Sequence, residues 1–106
     1  MGLTKKKVVI SLLARNSLKE IYEYIKDKEK SISKAHYVRE AILNKCLSLK
    51  DFSGYSKEPY LEEYPEDYRS VSIWDYVIIY RVKGEQVRVL NIIHGKEHPG
   101  SRNELD

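Results

Sequence analysis

The chain has 106 residues, of which 42% are hydrophobic and 33% are charged, and its formal net charge is +3. This composition excludes an intrinsically disordered chain, and the length is enough for one hydrophobic core but not for two. The mild positive charge permits a nucleic-acid or acidic-protein partner without requiring either. One cysteine, Cys46, cannot form an internal disulfide, so nothing in the sequence requires an oxidising compartment.

The amino-terminal segment has three lysines followed by the apolar run VVISLLA. This order resembles the start of a secretory signal. However, the apolar run extends over only about seven residues before Arg15 and cannot span a membrane. We therefore predict a first β-strand over Val8–Ser11 and a cytoplasmic protein.

Two amphipathic helices are predicted next. In the first, apolar side chains recur at helical spacing from Ala14 onwards, at Leu18, Ile21, Tyr22 and Ile25. Its start is ambiguous, because Ser11 is a suitable N-cap and Ser17 with Glu20 forms a capping-box pattern. The second helix is predicted over about Ser33–Lys50, with an apolar stripe of Val38, Ile42, Cys46 and Leu49. A short connection makes the pair an antiparallel hairpin, whose apolar side is expected to cover a sheet.

The segment Asp51–Asp67 contains two prolines, a glycine, several acids and three tyrosines. Such a polar, interrupted composition predicts a long surface loop. We interpret its acidic part, Glu58–Asp67, as a solvated connection. The residues after Gly95 show no periodicity and are predicted to be poorly ordered. We expect a single domain over residues 1–106, with a core of about 7–95 and a flexible tail over 96–106.

Runs rich in Val, Ile and Tyr indicate three further strands, at Arg69–Trp74, Tyr76–Val82 and Gln86–Ile93. Gly84 lies between the last two, where a hairpin turn favours it. Tyr76–Val82 is apolar at nearly every position and is expected to be buried on both faces. The order β-α-α-β-β-β predicts an α+β fold in which the helix hairpin packs on one face of a mostly antiparallel, four-stranded sheet.

The helix segment ISLLARNSLKEIYEYI, the strand YVIIYRV, the Lys83-Gly84 turn and the IIHG ending occur in this order. Together they resemble the RelE/ParE family of toxins from bacterial type II toxin–antitoxin systems, over roughly Lys7–Pro99. The resemblance implies one of two activities. RelE-like members cut mRNA on the ribosome without a metal, whereas ParE-like members poison DNA gyrase. It also implies a cognate antitoxin as partner and no cofactor.

Metal-free RNA cleavage needs groups that move protons and fixed cations that stabilise the phosphorane charge. The resemblance places Arg69 at one of the lysine positions of RelE-like members. It places Val77 and Val71 where such members carry an arginine and a second lysine. Glu97 falls where another arginine is expected, and the sequence after Pro99 contains no tyrosine. These differences favour the ParE-like activity, inhibition of gyrase by direct binding.

Two alternatives remain open at this point. The first is a ribosome-dependent mRNA endonuclease that would use Arg69, Arg81 and His94 in a rearranged site. The second is a catalytically inert binding module of the same fold. In the gyrase interpretation, the candidate target-binding residues are Arg69, Trp74, Arg81, Arg88, His94 and Lys96.

Each of these candidates also has a structural interpretation. Arg81 and Arg88 form either a basic patch with Lys83 and Arg69 or a set of edge charges that discourage sheet association. Trp74 is either an exposed interaction hot spot or, as we favour, a cap on the core. His94 is either an acid–base group or, as we favour, a strand-end histidine bonded to a carbonyl. The three histidines lack metal-ligand spacing, so no metal site is expected.

The antitoxin is expected to place an extended or helical segment across the helix hairpin and the sheet edge. The exposed parts of Leu18, Tyr22 and Ile25 are predicted to contribute to its binding site. Antitoxins are commonly acidic, and a toxin with a net charge of +3 suits such a partner.

Overall fold

The computed structural model describes residues 6–55 and 66–95. In chain order the elements are β1 (Lys7–Ile10), α1 (Leu12–Lys28), α2 (Ile32–Leu47), a 3₁₀ turn (Ser48–Lys50), β2 (Tyr68–Ile73), β3 (Tyr76–Lys83) and β4 (Gln86–His94). This order confirms the predicted α+β arrangement. Most of the predicted acidic loop and the whole tail over 96–106 lie outside the described residues.

The four strands form one sheet in the order β1-β4-β3-β2. The hairpins β2–β3 and β3–β4 are antiparallel, as short turns require, whereas β1 pairs with β4 in parallel. The parallel pair is possible because the long connection between these two strands includes both helices. A β-bulge interrupts the β3–β4 register at Ile79 and Tyr80. The prediction of a mostly antiparallel sheet is confirmed.

Ser11 joins β1 to α1 and fixes both to β4. Its backbone N–H donates to the carbonyl of Val89 at 2.9 Å, and its hydroxyl donates to the carbonyl of Leu90 at 2.8 Å. The same hydroxyl accepts a hydrogen bond from the N–H of Ala14 at 3.0 Å, which makes Ser11 the N-cap of α1. β1 therefore ends at Ile10, one residue earlier than predicted. The alternative start at Ser17 is wrong, because Ser17 lies inside α1.

The second helix also begins at a serine cap. The Ser31 hydroxyl accepts a hydrogen bond from the N–H of Lys34 at 3.1 Å, and α2 starts at Ile32, one residue before the predicted start. The α-helix ends at Leu47, and the last predicted turn adopts the tighter 3₁₀ form. Lys30, in the connection between the helices, has a φ of 55°, so the chain reverses there through a left-handed residue.

The main core lies between the helix hairpin and one face of the sheet. Its fully buried side chains come from both helices, the 3₁₀ turn, β3 and β4; among them are Ala14, Ala35, Ile42, Cys46, Leu49, Ile78, Tyr80, Val87 and Val89. Burial raises the pKa of the Cys46 thiol to about 12. A smaller cluster of Ile79, Leu90 and Ile93 lies on the opposite face. The predicted two-sided burial of β3 is confirmed for Ile78, Ile79 and Tyr80, whereas both ends of the strand are less buried.

Tyr80 and Arg69 hold the segment that follows the 3₁₀ turn. The Tyr80 hydroxyl donates to the carbonyl of Ser53 at 2.7 Å and accepts from the N–H of Tyr55 at 3.3 Å. Arg69 donates to the carbonyl of Tyr55 at 2.5 Å and pairs with the Asp67 carboxylate at 3.1 Å. Burial raises the pKa of Tyr80 to about 12, so its hydroxyl stays a donor throughout the neutral range.

Replacing Ser11 by Ala is expected to destabilise the protein by about 2 kcal/mol, because the change removes an N-cap and leaves the buried carbonyl of Leu90 without its donor. The matched change Ser31→Ala removes only a more exposed cap and should cost about 1 kcal/mol. Urea unfolding of both variants measures the difference. Equal losses would contradict the tertiary role of Ser11.

The raised pKa of Tyr80 predicts a loss of stability at high pH. The folded protein holds the phenol proton up to a pKa of about 12, whereas the unfolded chain releases it near the reference value of 10.0. This contribution is therefore complete below pH 10 and is lost as the pH rises to about 12. Denaturant unfolding across this range should show a smaller decline for Tyr80→Phe than for the native chain. Because burial also raises the pKa of the Cys46 thiol to about 12, Cys46→Ala is introduced in both chains, so that only the Tyr80 contribution differs between them.

Candidate functional site

A groove of about 1170 Å³ separates the helix hairpin from one end of the sheet. We call it the helix–sheet groove. Its walls are α1, the first half of α2, the turn between β2 and β3, and the last residues of β4. The side chains that line it are Leu13, Asn16, Ser17, Glu20, Ile21, Tyr24, Ile25, Glu29, Lys34, Tyr37, Val38, Trp74, Asp75, Tyr76, Asn91, Ile92, Ile93 and His94. This size exceeds that of most small-molecule pockets and suits a segment of another protein.

One end of the groove is rich in aromatic rings. Tyr24, Tyr37 and Trp74 are 61%, 67% and 55% exposed. The Tyr37 and Trp74 ring centroids lie 5.8 Å apart, and the ring of Tyr76 meets that of His94 edge-on at 5.7 Å. We call these five residues the aromatic end. Large rings that remain in contact with water are typical of interaction sites, because burying them on binding is favourable.

Trp74 occupies a backbone conformation that a bulky residue rarely adopts. Its φ is 52°, and it is the first residue of the two-residue turn between β2 and β3. The equivalent turn between β3 and β4 has Gly84 at the same position with a φ of 60°. A side chain at such a φ costs about 1–2 kcal/mol. Trp74 is 55% exposed and its ring packs on Tyr37, so the favoured interpretation of Trp74 as a cap on the core is wrong.

Carboxylates surround the aromatic end. Glu29 forms an ion pair with Lys34, and Asp75 follows Trp74 in the turn. Burial raises the pKa of Tyr76, and the nearby negative charges of Glu29 and Asp75 raise it further, whereas the positive charge of Lys34 partly offsets them. The Tyr76 hydroxyl is therefore a neutral hydrogen-bonding group in a negatively charged neighbourhood. Within the described residues, no ion pair of Asp75 is found.

The floor of the groove contains a buried amide. Asn91, which is only 6% exposed, follows the β-bulge. Its Oδ1 atom accepts hydrogen bonds from the Ser17 hydroxyl at 2.6 Å and from the backbone N–H of Ile92 at 2.8 Å. These bonds fix α1 against β4 and determine the orientation of the amide. Within residues 6–55 and 66–95, no hydrogen bond from its Nδ2 atom is found.

Gly95 holds the end of β4 against the turn that presents Trp74. Its N–H donates to the carbonyl of Asp75 at 2.6 Å, and a Cβ at this position would lie 3.2 Å from the same oxygen. Such a distance is tighter than most Cβ contacts, so the position favours glycine. The IIHG ending of the sequence thus has a structural explanation: His94 packs on Tyr76, and Gly95 allows the close approach of two backbone segments.

The arginines predicted to contact the target lie on different faces of the sheet. Arg81 and Arg88 are direct cross-strand partners on the face opposite the helices. Arg81 also lies beside Tyr68, whose pKa is raised by burial and by Glu66 and is lowered by Arg81. Arg69 pairs with Tyr80 and points to the helix-covered face, where it binds Asp67 and the Tyr55 carbonyl. Of the two interpretations of Arg81 and Arg88, the basic patch with Lys83 and Arg69 therefore cannot include Arg69.

Two other parts of the expected target site also lie apart from that arginine pair. Trp74 and His94 line the helix–sheet groove. His94 closes β4, as predicted, and its ring packs on Tyr76. Lys96 lies outside the described residues.

A comparison with known protein families shows which family this chain matches. A model of the family described as "ParE toxin of type II toxin-antitoxin system, parDE" matches residues 8–99. The chain belongs to the ParE toxin family. This result confirms the resemblance seen in the sequence and places the protein in the ParE branch, as a type II toxin that has an antitoxin partner.

Among solved structures, this ParE toxin is similar to a chain described as "Chromosomal ParDE TA system from P. aeruginosa". The TM-score is 0.70, the sequence identity is 21%, and the alignment covers 86% of this chain and 97% of the other. This similarity shows that the two chains share the same fold. No match is found among curated protein sequences.

The expected antitoxin contacts on α1 of this ParE toxin need correction. Leu18 is 9% exposed and Ile25 is 2% exposed, so both side chains belong to the core and offer almost no surface to a partner. Tyr22 is half-buried and lies outside the helix–sheet groove. Its ring packs edge-on against His36 and lies 4.7 Å below the guanidinium of Arg39. Its hydroxyl also lies 3.2 Å from Nε2 of His36.

The residues that the sequence analysis missed are Tyr24, Tyr37 and Asn91. The signal for the two tyrosines was their position off the apolar stripe of each helix, combined with the excess of tyrosine in the chain. Asn91 carried a weaker signal, a lone amide within the strand QVRVLNII.

In the part of the chain that the structure describes, no three His, Cys, Asp or Glu side chains are grouped so as to hold a metal. No helix there combines the length and apolar character needed to cross a bilayer.

The unfavourable φ of Trp74 predicts a stabilising substitution. Trp74→Gly in a Tyr37→Ala background should raise the free energy of unfolding by about 1 kcal/mol, because the strain is relieved and no ring contact remains to be lost. Gly84→Ala is the reciprocal control and should lower it by about 1 kcal/mol. Thermal unfolding compares the two. A destabilising Trp74→Gly would show that the turn conformation is not strained.

Proposed function

We propose that this ParE toxin inhibits DNA gyrase by direct binding and that a cognate antitoxin neutralises it. The observation that carries the proposal is the family match over residues 8–99. Gyrase inhibition is the activity that the ParE branch implies. The P. aeruginosa structure is named as a ParDE toxin–antitoxin system, which agrees with such a partner. The proposed target would place the toxin in the cytoplasm.

The positions of the alternative nuclease residues favour binding over RNA cleavage. Arg69 and Arg81 lie on opposite faces of the sheet. Arg88, the cross-strand partner of Arg81, is six positions from His94 on β4, a separation of about 20 Å at the usual rise of a strand. A nucleophile, a leaving group and their proton donors must lie within hydrogen-bond reach of one another. Among the described residues, these three side chains do not converge on one phosphate.

The opposite face of the sheet is the surface that we propose contacts gyrase. Arg81 and Arg88 form a cross-strand pair beside Tyr68, next to the apolar cluster of Ile79 and Leu90. Two half-buried guanidinium groups beside apolar side chains resemble the arginine-rich centres of protein interfaces. They also form a concentrated positive charge, which speeds encounter with an acidic partner.

The decisive experiment adds the purified toxin to a gyrase supercoiling reaction and, separately, to a coupled translation reaction in which mRNA ends are mapped. We expect inhibited supercoiling and intact mRNA. The double variant Arg81→Gln/Arg88→Gln should inhibit supercoiling at least about tenfold less, because two interface charges are lost. Lys19→Gln, an exposed lysine on α1, is the control and should inhibit like the native toxin.

Each other result has a definite meaning for this proposal. Cleaved mRNA would replace it with the endonuclease alternative. If the toxin neither inhibits supercoiling nor cleaves mRNA, the binding-module alternative remains as its function. If the double arginine variant inhibits supercoiling as strongly as the native toxin, gyrase inhibition remains the function, but gyrase does not contact the toxin through this face. Folding of each variant is checked by its thermal unfolding midpoint.

A further inference from the structure

We propose that the aromatic end of the helix–sheet groove binds a cationic side chain, an arginine in particular, from the segment of the antitoxin that occupies the groove. This inference rests on the antitoxin partner of the proposed function and adds the chemistry by which the toxin recognises it. The three features that carry it are the charge of the groove, the arrangement of its rings and the conformation of Trp74.

The charge of the groove is opposite in sign to that of the protein. The chain carries a formal net charge of +3, yet the groove is lined by the carboxylates of Glu20, Glu29 and Asp75 and by one lysine, Lys34. Lys34 is already paired with Glu29. Within the described residues, neither Glu20 nor Asp75 has an ion pair. A positive group of the partner would therefore complement this surface.

The rings provide the second half of a cation site. The ring centroids of Tyr37 and Trp74 lie 5.8 Å apart with their planes tilted by 39°, and both residues remain more than half exposed where they line the groove. Tyr76 lies beside them and is influenced by the charges of Glu29 and Asp75. A cation over an indole or phenol face is attracted by the ring, and a nearby carboxylate strengthens the attraction. The planar guanidinium of arginine can both stack on a ring and pair with a carboxylate.

The conformation of Trp74 indicates that this site is built for binding. A turn residue at a φ of 52° would be more stable as glycine, which is the residue present at the equivalent turn as Gly84. The tryptophan instead remains 55% exposed where it lines the groove. Strained residues of this kind occur mainly at functional sites.

We assign the groove to the antitoxin because the toxin has two surfaces of opposite charge, one for each of its two proposed partners. The face with Arg81 and Arg88 is positive, whereas the helix–sheet groove is negative and concave. A long cleft between helices and a sheet accepts one extended or helical segment, with its side chains in separate pockets. A single arginine within such a segment would also fix its register, since a misplaced charge would meet apolar walls at Ile21 and Val38.

The first test uses the intrinsic fluorescence of Trp74, the single tryptophan of the chain. The full-length toxin is titrated with N-acetyl-arginine methylamide and with its neutral citrulline analogue. We expect a saturable change with the arginine probe, with a dissociation constant on the order of 10 mM, and binding at least about tenfold weaker for citrulline. Equal responses to the two probes would show that positive charge is not recognised and would overturn the proposal.

Two substitutions locate the site. Asp75→Asn should weaken binding of the arginine probe about tenfold, since it removes a carboxylate charge from the groove but preserves a residue that suits the turn. Asp27→Asn makes the same change on α1, outside the groove, and should leave binding unchanged. Loss of binding in both variants would indicate a general charge effect and would contradict a local site.

The second test uses the complex with the antitoxin encoded by the adjacent reading frame. Each arginine and lysine of the antitoxin is changed to glutamine and combined with toxin Asp75→Asn in a double-mutant cycle. One antitoxin position should couple to Asp75 by about tenfold in affinity, whereas no position should couple to Asp27. Absence of coupling at every position would overturn the proposal.

Failure of this inference can be distinguished from failure of the proposed function. Supercoiling inhibition by the native toxin, and its relief by the antitoxin, test the function without reference to Asp75 or Trp74. If both occur while the fluorescence and coupling experiments fail, the cation site alone is wrong. If Trp74→Leu reduces gyrase inhibition but leaves antitoxin affinity unchanged, the aromatic end belongs to the gyrase interface, and the assignment to the antitoxin is overturned.

Discussion

Three hydrogen bonds at Ser11 determine where the helices lie relative to the sheet. Through its backbone this residue extends the parallel pairing of β1 with β4, and through its hydroxyl it begins α1 and bonds to the carbonyl of Leu90. A second connection, from Ser17 to Asn91, lies less than two helical turns further along α1. The helix is thereby fixed over β4 at its amino-terminal half. The groove lies between the helix hairpin and the last residues of β4.

The elements of the fold were largely predictable because their signals are local. Strands rich in Val, Ile and Tyr, a helical stripe of apolar residues and the glycine of one turn all depend on neighbours within a few positions. The separation of Arg69 from Arg81 was not predictable in the same way. Which face of the sheet each residue occupies depends on the pairing of Arg69 with Tyr80, and cross-strand register is a property of the assembled sheet.

The candidate site was predicted less well, for a related reason. The helix–sheet groove combines residues of α1, α2, β3, β4 and one turn, so no short stretch of sequence describes it. Leu18 and Ile25 were assigned to a partner although they lie on the apolar stripe that covers the sheet, and the core uses them. Trp74 was interpreted either as an exposed hot spot or, the favoured alternative, as a cap on the core. The two-residue turn overrides the usual burial of tryptophan and leaves the residue 55% exposed.

The resulting toxin domain separates two opposite charges in space. Its arginine pair lies on the face of the sheet away from the helices, and its carboxylates line the groove between the helices and the sheet. In the function proposed above, the first surface binds gyrase and the second binds the antitoxin.

The burial of Cys46 has a practical consequence for work with this toxin. The thiol is fully enclosed, and its pKa of about 12 leaves almost no thiolate at neutral pH. The native protein is therefore protected from oxidative dimerisation during purification, even without a reductant. When the core opens, the same thiol becomes available to alkylating reagents, so its labelling rate reports the frequency of global opening under native conditions.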